Sequence, residues 1–175
     1  VCSSERTKAI IEPRRSDQWF LKMEELVKPA IKAVLSDDAD IKLFPKKFEN
    51  TYRHWMENIR DWCISRQMWW GHRIPVWYCQ DCGELTVAIE EVKACSSCRS
   101  TNIVQESDVL DTWFSSALWT HSTLGWPDDT EDMRYFYSTT VMVTGYDILF
   151  FWVARMIMMG LEDTGDIPFH TVYLN

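Results

Sequence analysis

Four cysteines stand in two tight pairs, Cys79-x-x-Cys82 and Cys95-x-x-Cys98, with twelve residues between the pairs. Each pair can set two thiolates on one turn, and two such turns joined by a short hairpin can close a tetrahedral shell around a metal ion. Gly83, directly after Cys82, helps the turn direct backbone amides toward sulfur. Four sulfur ligands leave no open position, so the pattern predicts a structural Zn²⁺ and not a catalytic one. Of the remaining cysteines, Cys63 is expected in the core and Cys2 as a free thiol. A second group, Thr144-Gly145-Tyr146-Asp147, falls between a β-branched run and a long apolar run. Gly145 lets a ligand approach the backbone closely, and Asp147 can accept hydrogen bonds from a sugar diol. The same residues also suit a turn glycine and a helix N-cap or first-turn aspartate.

Around these residues the periodicity predicts a frame. Trp19 to Leu21 reads as a short strand. Met23 to Leu35 has helical spacing, with Pro29 able to kink it. Ser36 to Asp40 is a turn. Glu49 to Ile59 is a helix with Tyr52, Trp55, Met56 and Ile59 on one face. Ile74 to Tyr78 is a strand, and Thr112 to Thr120 a helix. Ser138 to Val143 is a strand, Ile148 to Leu161 a helix apolar nearly all round, and Phe169 to Leu174 the next strand. Strand, buried helix and strand form a β-α-β unit. The fold class that follows is α/β, part of a doubly wound parallel (Rossmann-like) sheet with an inserted small zinc-ribbon module. In such a sheet ligands bind beyond the carboxyl ends of the strands, which is where residues 144–147 fall. Three segments are expected: 1–78, a connective and first core segment; 79–105, the zinc ribbon; and 106–175, the second-half nucleotide fold.

Bulk properties narrow the function. The 175 residues carry 18 basic and 26 acidic side chains, a net charge of −8. A dedicated nucleic-acid-binding domain would be basic, so any main grip on RNA should lie elsewhere in a larger protein. Ten Trp and eight Phe point to aromatic packing or to pockets for flat or apolar ligands. Two Cys-x-x-Cys pairs favour metal over disulfides, the start at Val1 is polar, and the longest apolar run is broken by Arg155. These features predict a soluble intracellular protein with no secretory leader. A start at Val1 and an end at Asn175 inside a strand-like run suggest an excised piece of a longer chain.

Three longer words carry a family resemblance: Trp62-Cys-Ile-Ser-Arg-Gln-Met-Trp-Trp-Gly-His-Arg-Ile-Pro-Val-Trp-Tyr78, Asp108-Val-Leu-Asp-Thr-Trp-Phe114 and Thr144-Gly-Tyr-Asp-Ile-Leu-Phe-Phe-Trp152. Ile64-Ser-Arg-Gln67 with Trp70-Gly71 resembles the valyl, isoleucyl and leucyl subgroup of class I aminoacyl-tRNA synthetases. Gly71-His72-Arg73-Ile74-Pro75 and Asp147-Ile148 narrow the resemblance to the valyl-tRNA synthetases. It extends from Ile11-Glu12-Pro13 and Asp17-Gln18-Trp19-Phe20 to the end of the chain. Neither the His-x-Gly-His motif nor the Lys-Met-Ser-Lys-Ser loop of that family is present, and the editing insertion is missing except for its trailing edge at Val1 to Glu12.

The resemblance implies a fragment of a cytoplasmic, monomeric ligase that joins valine to ATP as valyl-adenylate and then passes it to tRNA(Val). ATP and Mg²⁺ enter as substrate of the full-length enzyme, and no membrane is involved. It places the adenylate ribose at Gly145 and Asp147, with Thr144 flanking, and the amino-acid pocket at Trp113 and Trp152, with Zn²⁺ on Cys79, Cys82, Cys95 and Cys98. For either Trp alone, core packing is the competing reading. No residue of the fragment is assigned as catalytic, and the fragment alone is expected to be inactive. His72 is expected as a structural hydrogen-bonding group. Arg66 and Arg73 suit RNA phosphate, the adenylate or surface salt bridges equally. Two rival functions are a zinc-ribbon module that binds protein or RNA without catalysis, and a fragment of an isoleucyl or leucyl enzyme.

Overall fold

The computed structural model describes residues 2–12 and 15–175; Val1, Pro13 and Arg14, which fall in the leading segment of the resemblance, lie outside the described residues. The elements run β1 (Phe20–Leu21), α1 (Glu24–Leu35), β2 (Lys42–Phe44), α2 (Phe48–Glu57), β3 (Trp62–Cys63), β4 (Ser65–Arg66), β5 (Val76–Cys79), β6 (Leu85–Val87), β7 (Ile103–Gln105) and β8 (Val109–Leu110). Then come α3 (Thr112–Ala117), α4 (Trp119–Ser122), α5 (Glu131–Phe136), β9 (Thr139–Thr144), α6 (Arg155–Thr164) and β10 (Phe169–Leu174).

The central sheet is parallel, in the order β2-β10-β9, with Thr171 facing Lys42 on one side and Val141 on the other. Three smaller sheets are antiparallel: β1-β3, β4-β8 and β6-β5-β7. The β9-α6-β10 crossover is the unit expected from the sequence. The parallel partner β2 escaped that reading because it has three residues, of which only Leu43 is buried. A strand so short shows no alternation to detect.

The core explains why the crossover helix is apolar all round. Met156, Ile157 and Met158 of α6 are buried together with Val172 and Leu174 of the sheet and Val27, Ala30 and Val34 of α1. In α1, Glu24 and Glu25 sit in the first turn and Lys32 in the last, as the helix dipole favours. Pro29 is accommodated on its exposed side. The opposite face of the sheet is open: Phe44 stacks on Tyr173 with centroids 5.2 Å apart, and Val141 and Val143 extend the same exposed surface.

Two helices differ from their sequence-based outlines. Residues 112–120 split into α3 and α4 at Leu118. Residues 148–161 do not form one α-helix. A 3-10 turn (Tyr146–Ile148) leads into a π-helical stretch (Leu149–Ala154), and α6 begins only at Arg155. The wider π turn fits an extra residue, and Leu149, Val153 and Ala154 stay buried while Phe151 remains partly exposed. Hydrophobic periodicity does not separate α from π winding over six apolar residues.

Gly160 lies in the interior of α6, where glycine costs about 1 kcal/mol against alanine. A Cβ there would come within 2.9 Å of the Tyr137 hydroxyl and 3.2–3.3 Å of the Pro168 ring. The helix therefore packs closely against the β10 approach, and a Cβ would require Tyr137 and Pro168 to give way. Gly160→Ala should destabilise the protein by about 1 kcal/mol net, the crowding exceeding the gain in helix propensity. The urea unfolding midpoint checks this; an unchanged or raised midpoint would show that Tyr137 and Pro168 yield freely.

Candidate functional site

The four paired cysteines converge. Their Sγ atoms lie within 4.8 Å of one another, with Cys79–Cys98 and Cys82–Cys95 each at 3.5 Å. A zinc ion bonded to four sulfurs at about 2.3 Å sets them about 3.8 Å apart, so the geometry fits such an ion. Antiparallel pairing of β5 with β6 and β7 brings the two turns together, Cys79 standing at the end of β5. Gly83 donates its N–H to the Cys79 carbonyl at 2.9 Å and Arg99 donates to Cys95 at 3.0 Å, closing equivalent turns. The Cys98 amide points at the Cys95 sulfur from 3.5 Å and, with its neighbours, lowers that thiol to about 7. Cys79 and Cys95 are buried, whereas Cys82 and Cys98 are exposed.

The module is fastened by Glu106, just beyond β7. Its carboxylate accepts from the Trp19 indole at 3.1 Å, the Tyr78 hydroxyl at 2.8 Å and the Ser107 and Asp108 amides. Arg73 was open to an RNA or adenylate role. Its guanidinium instead donates to the Gln105 and Glu106 carbonyls at 2.7–3.0 Å and braces the same junction.

The carboxyl end of β9 gathers the second group. The β9–β10 ladder runs through Thr144 to its end, with Asn175 N–H donating to the Thr144 carbonyl at 3.1 Å. Gly145 has extended backbone, φ −69° and ψ 144°, so left-handed freedom is not what it supplies. A Cβ on Gly145 would lie 2.5 Å from Asp147 Oδ1. The missing side chain therefore leaves room for the Asp147 carboxylate to fold back beside the strand end. Asp147 lies in the 3-10 turn without capping it, is exposed, and has no hydrogen-bond partner among the described residues.

Aromatic side chains line the turn that follows. Tyr146 stacks on Phe48, Phe150 on Trp55 and Phe151 on Trp113, at centroid distances of 5.8, 4.8 and 5.9 Å. Trp152 is half-buried and donates its indole N–H to the Ser116 carbonyl of α3 at 3.0 Å. The two tryptophans singled out by the family resemblance thus sit on neighbouring elements: Trp113 on α3, and Trp152 on the π turn bonded to it.

A family model for class I tRNA synthetases (I, L, M and V) matches residues 4–175. The chain belongs to this family. Among curated relatives, the chain is 62% identical over all 175 residues to a valine–tRNA ligase of Clostridium tetani, and 64% identical over 170 residues to one of Symbiobacterium thermophilum. It spans about a fifth of their length, 20% and 18%. Methionyl-tRNA synthetase of Mycobacterium tuberculosis, in complex with methionyl-adenylate, superposes with a TM-score of 0.64 at 15% identity, over 98% of this chain and 28% of that one. A leucyl enzyme of Agrobacterium radiobacter, in a ternary complex, gives 0.53 at 22% identity, over 66% of this chain and 20% of that one. At these identities the likeness establishes the class I synthetase fold.

Within this class I synthetase segment, one cluster escaped the sequence reading. Asp111 accepts from the Trp62 indole at 3.0 Å and pairs with Arg66 at 3.3 Å and Arg155 at 3.7 Å, all through Oδ2. Arg66, which the sequence left between RNA, adenylate and salt bridge, is thereby tied to a buried carboxylate. The Arg155 guanidinium lies 3.8 Å from the Trp62 ring centre. Burial lowers it to about 10, against the opposing pull of Asp111. The available signal was a lone arginine inside an apolar helix, where an unpaired charge is too costly to persist. His72, expected as a structural hydrogen-bonding group, has an exposed side chain; among the described residues only its carbonyl is engaged, by Leu110 N–H at 2.7 Å. Cys63, expected in the core, is half-buried against Gln18. Trp69 and Trp70 of the same sequence word stand fully in solvent. Among the described residues no helix is long and apolar enough to cross a membrane.

Partial burial opposes the Glu106 charge, but its donors from Trp19, Tyr78 and the two amides outweigh that and hold its carboxyl below the usual glutamate range. A carboxyl lowered by folding adds stability that is complete above its unfolded value and lost as pH falls through the folded one. Acidification from pH 7 to 3.5 should therefore cost Glu106→Gln less stability than wild type. Urea midpoints at the two pH values check this; equal losses would remove Glu106 as the fastening group.

Proposed function

We propose that this chain is part of a valine–tRNA ligase, and the observation that carries the reading is its identity of 58–64% to such ligases over 97–100% of its own length. Two reactions follow. An oxygen of the valine carboxylate attacks the α-phosphorus of ATP, and pyrophosphate leaves with the electron pair of the broken P–O bond. A hydroxyl of the terminal tRNA ribose then attacks the activated carbonyl, loses its proton and releases AMP. Such chemistry depends on positioning and on stabilisation of charge, with ATP entering as its Mg²⁺ complex. The substrates are valine, ATP and tRNA(Val), the compartment is the cytoplasm and the enzyme acts as a monomer.

In this reading the Asp147 carboxylate, exposed and without a partner among the described residues, accepts from the ribose diol of the adenylate. Gly145 keeps the strand end open beside it, and Thr144 flanks the same pocket. Trp113 and Trp152 wall the valine side chain. Cys79, Cys82, Cys95 and Cys98 hold a structural Zn²⁺, which supplies rigidity and takes no part in the reaction. Residues 79–105 form the zinc ribbon between a connective segment, 1–78, and the second nucleotide-fold segment, 106–175.

Protein purified without chelator should contain one zinc per chain by elemental analysis. Chelation should loosen residues 79–105 in hydrogen exchange while the parallel sheet stays protected. Clearly less than one equivalent would refute the zinc assignment.

In the full-length enzyme, Asp147→Ala should reduce kcat/KM for ATP by about 5- to 150-fold, as an unpaired diol costs about 1–3 kcal/mol. Valine affinity should change far less. Trp152→Ala should show the reverse bias, with weaker valine binding and relaxed side-chain choice. Its stability cost should fall below the about 3–5 kcal/mol of a fully buried Trp→Ala change, since this indole is half-buried. Folded variants that retain their ATP and valine parameters respectively would return Asp147 and Trp152 to purely structural roles.

A further inference from the structure

We propose that Arg155 is a positioning residue that fixes the separation of the two tryptophans walling the amino-acid pocket; the inference rests on that assignment of Trp113 and Trp152. Arg155 is the first residue of α6, three residues after Trp152, and Asp111 is the N-cap residue of α3, two residues before Trp113. The pair therefore joins the element carrying one tryptophan to the element carrying the other. The contact is buried at both ends, with side-chain exposures of 9% for Arg155 and 8% for Asp111.

The geometry is poor for stability and suited to registry. An N-cap aspartate ordinarily turns its carboxylate onto its own helix, yet Asp111 makes no such bond and gives Oδ2 to Trp62, Arg66 and Arg155. Arg155 Nη1 is buried without a hydrogen bond, because 3.7 Å to Asp111 is a charge contact only. An apolar residue of similar volume would often serve the core as well as a buried ion pair. What it would not provide is a fixed distance between α6 and α3. The flat guanidinium is held from two directions, by the Trp62 face at 3.8 Å and by the Asp111 charge. The Trp152–Ser116 hydrogen bond and the Trp113–Phe151 stack also join the two walls, and neither carries a charge.

The test is pyrophosphate exchange in the full-length enzyme with valine and with isoleucine, which is larger by one methylene. Arg155→Met should raise KM for valine about tenfold, the size of a typical pairwise coupling. It should also raise the relative rate with isoleucine about tenfold, while KM for ATP stays within twofold. A generally loosened fold would move both KM values together. Arg155→Lys, which keeps the charge and loses the flat stack, should fall between Arg155→Met and wild type; it decides the matter if Arg155→Met does not fold. Asp111→Asn leaves the buried cation uncompensated, so it should be more impaired than Arg155→Met/Asp111→Asn together. Folded Arg155 variants with wild-type valine KM and isoleucine ratio would overturn the inference, as would a double variant no better than Asp111→Asn. A wild-type enzyme without valine-dependent exchange would instead overturn the proposed function, and this inference with it.

Discussion

Asp111 sets one carboxylate oxygen among Trp62, Arg66 and Arg155, and segments far apart in the sequence are held where those groups meet. The β3–β4 region arrives through Trp62 and Arg66, α3 starts at Asp111 itself, and α6 starts at Arg155. Arg66 and Arg155 both aim their charge at this oxygen, and without it two guanidinium groups would face each other beside an aromatic cluster. The π turn lies between two anchors: Leu149 is buried in the core, Arg155 meets the Trp62 ring, and the residues from Leu149 to Ala154 wind more widely than an α-helix.

That winding also sorts the aromatic residues. Phe150 meets Trp55 of α2, Phe151 meets Trp113 of α3, and Trp152 reaches the backbone of α3 through its indole N–H. Three successive aromatic side chains thus engage two different helices. A regular α-helix advances about 100° per residue and distributes neighbours similarly, but it would carry Arg155 to a different angle relative to Leu149. The strand end at Thr144–Gly145 and the aromatic wall are therefore parts of one continuous run of chain, with the 3-10 turn holding Asp147 between them.

What the sequence disclosed depended on how local the signal was. The cysteine pairs needed only spacing, and their sulfurs meet as spacing requires. The β9-α6-β10 crossover needed a long apolar run between a β-branched run and a second strand-like run, and the parallel register agrees. β2 remained hidden because its pairing to β10 spans more than a hundred residues and its own three residues have no period. The Asp111 cluster remained hidden for a related reason: Trp62, Arg66, Asp111 and Arg155 are ordinary residues one by one, and only tertiary contact makes them a unit. Arg73 shows the limit of side-chain type as a guide. A cation within a synthetase-like sequence word suggests phosphate, yet this one is spent on two backbone carbonyls beside the cysteine module.

The open face of the central sheet has a colloidal consequence. Phe44, Tyr173, Val141 and Val143 form a continuous apolar surface on a sheet whose other face is packed, and parallel sheets ordinarily have both faces covered. Whenever this surface is uncovered, copies of the chain attract one another through it, and the opposing force is charge repulsion from a net −8. That repulsion vanishes near the isoelectric point set by the composition, about 5.0, so mildly acidic solution removes the barrier to flocculation.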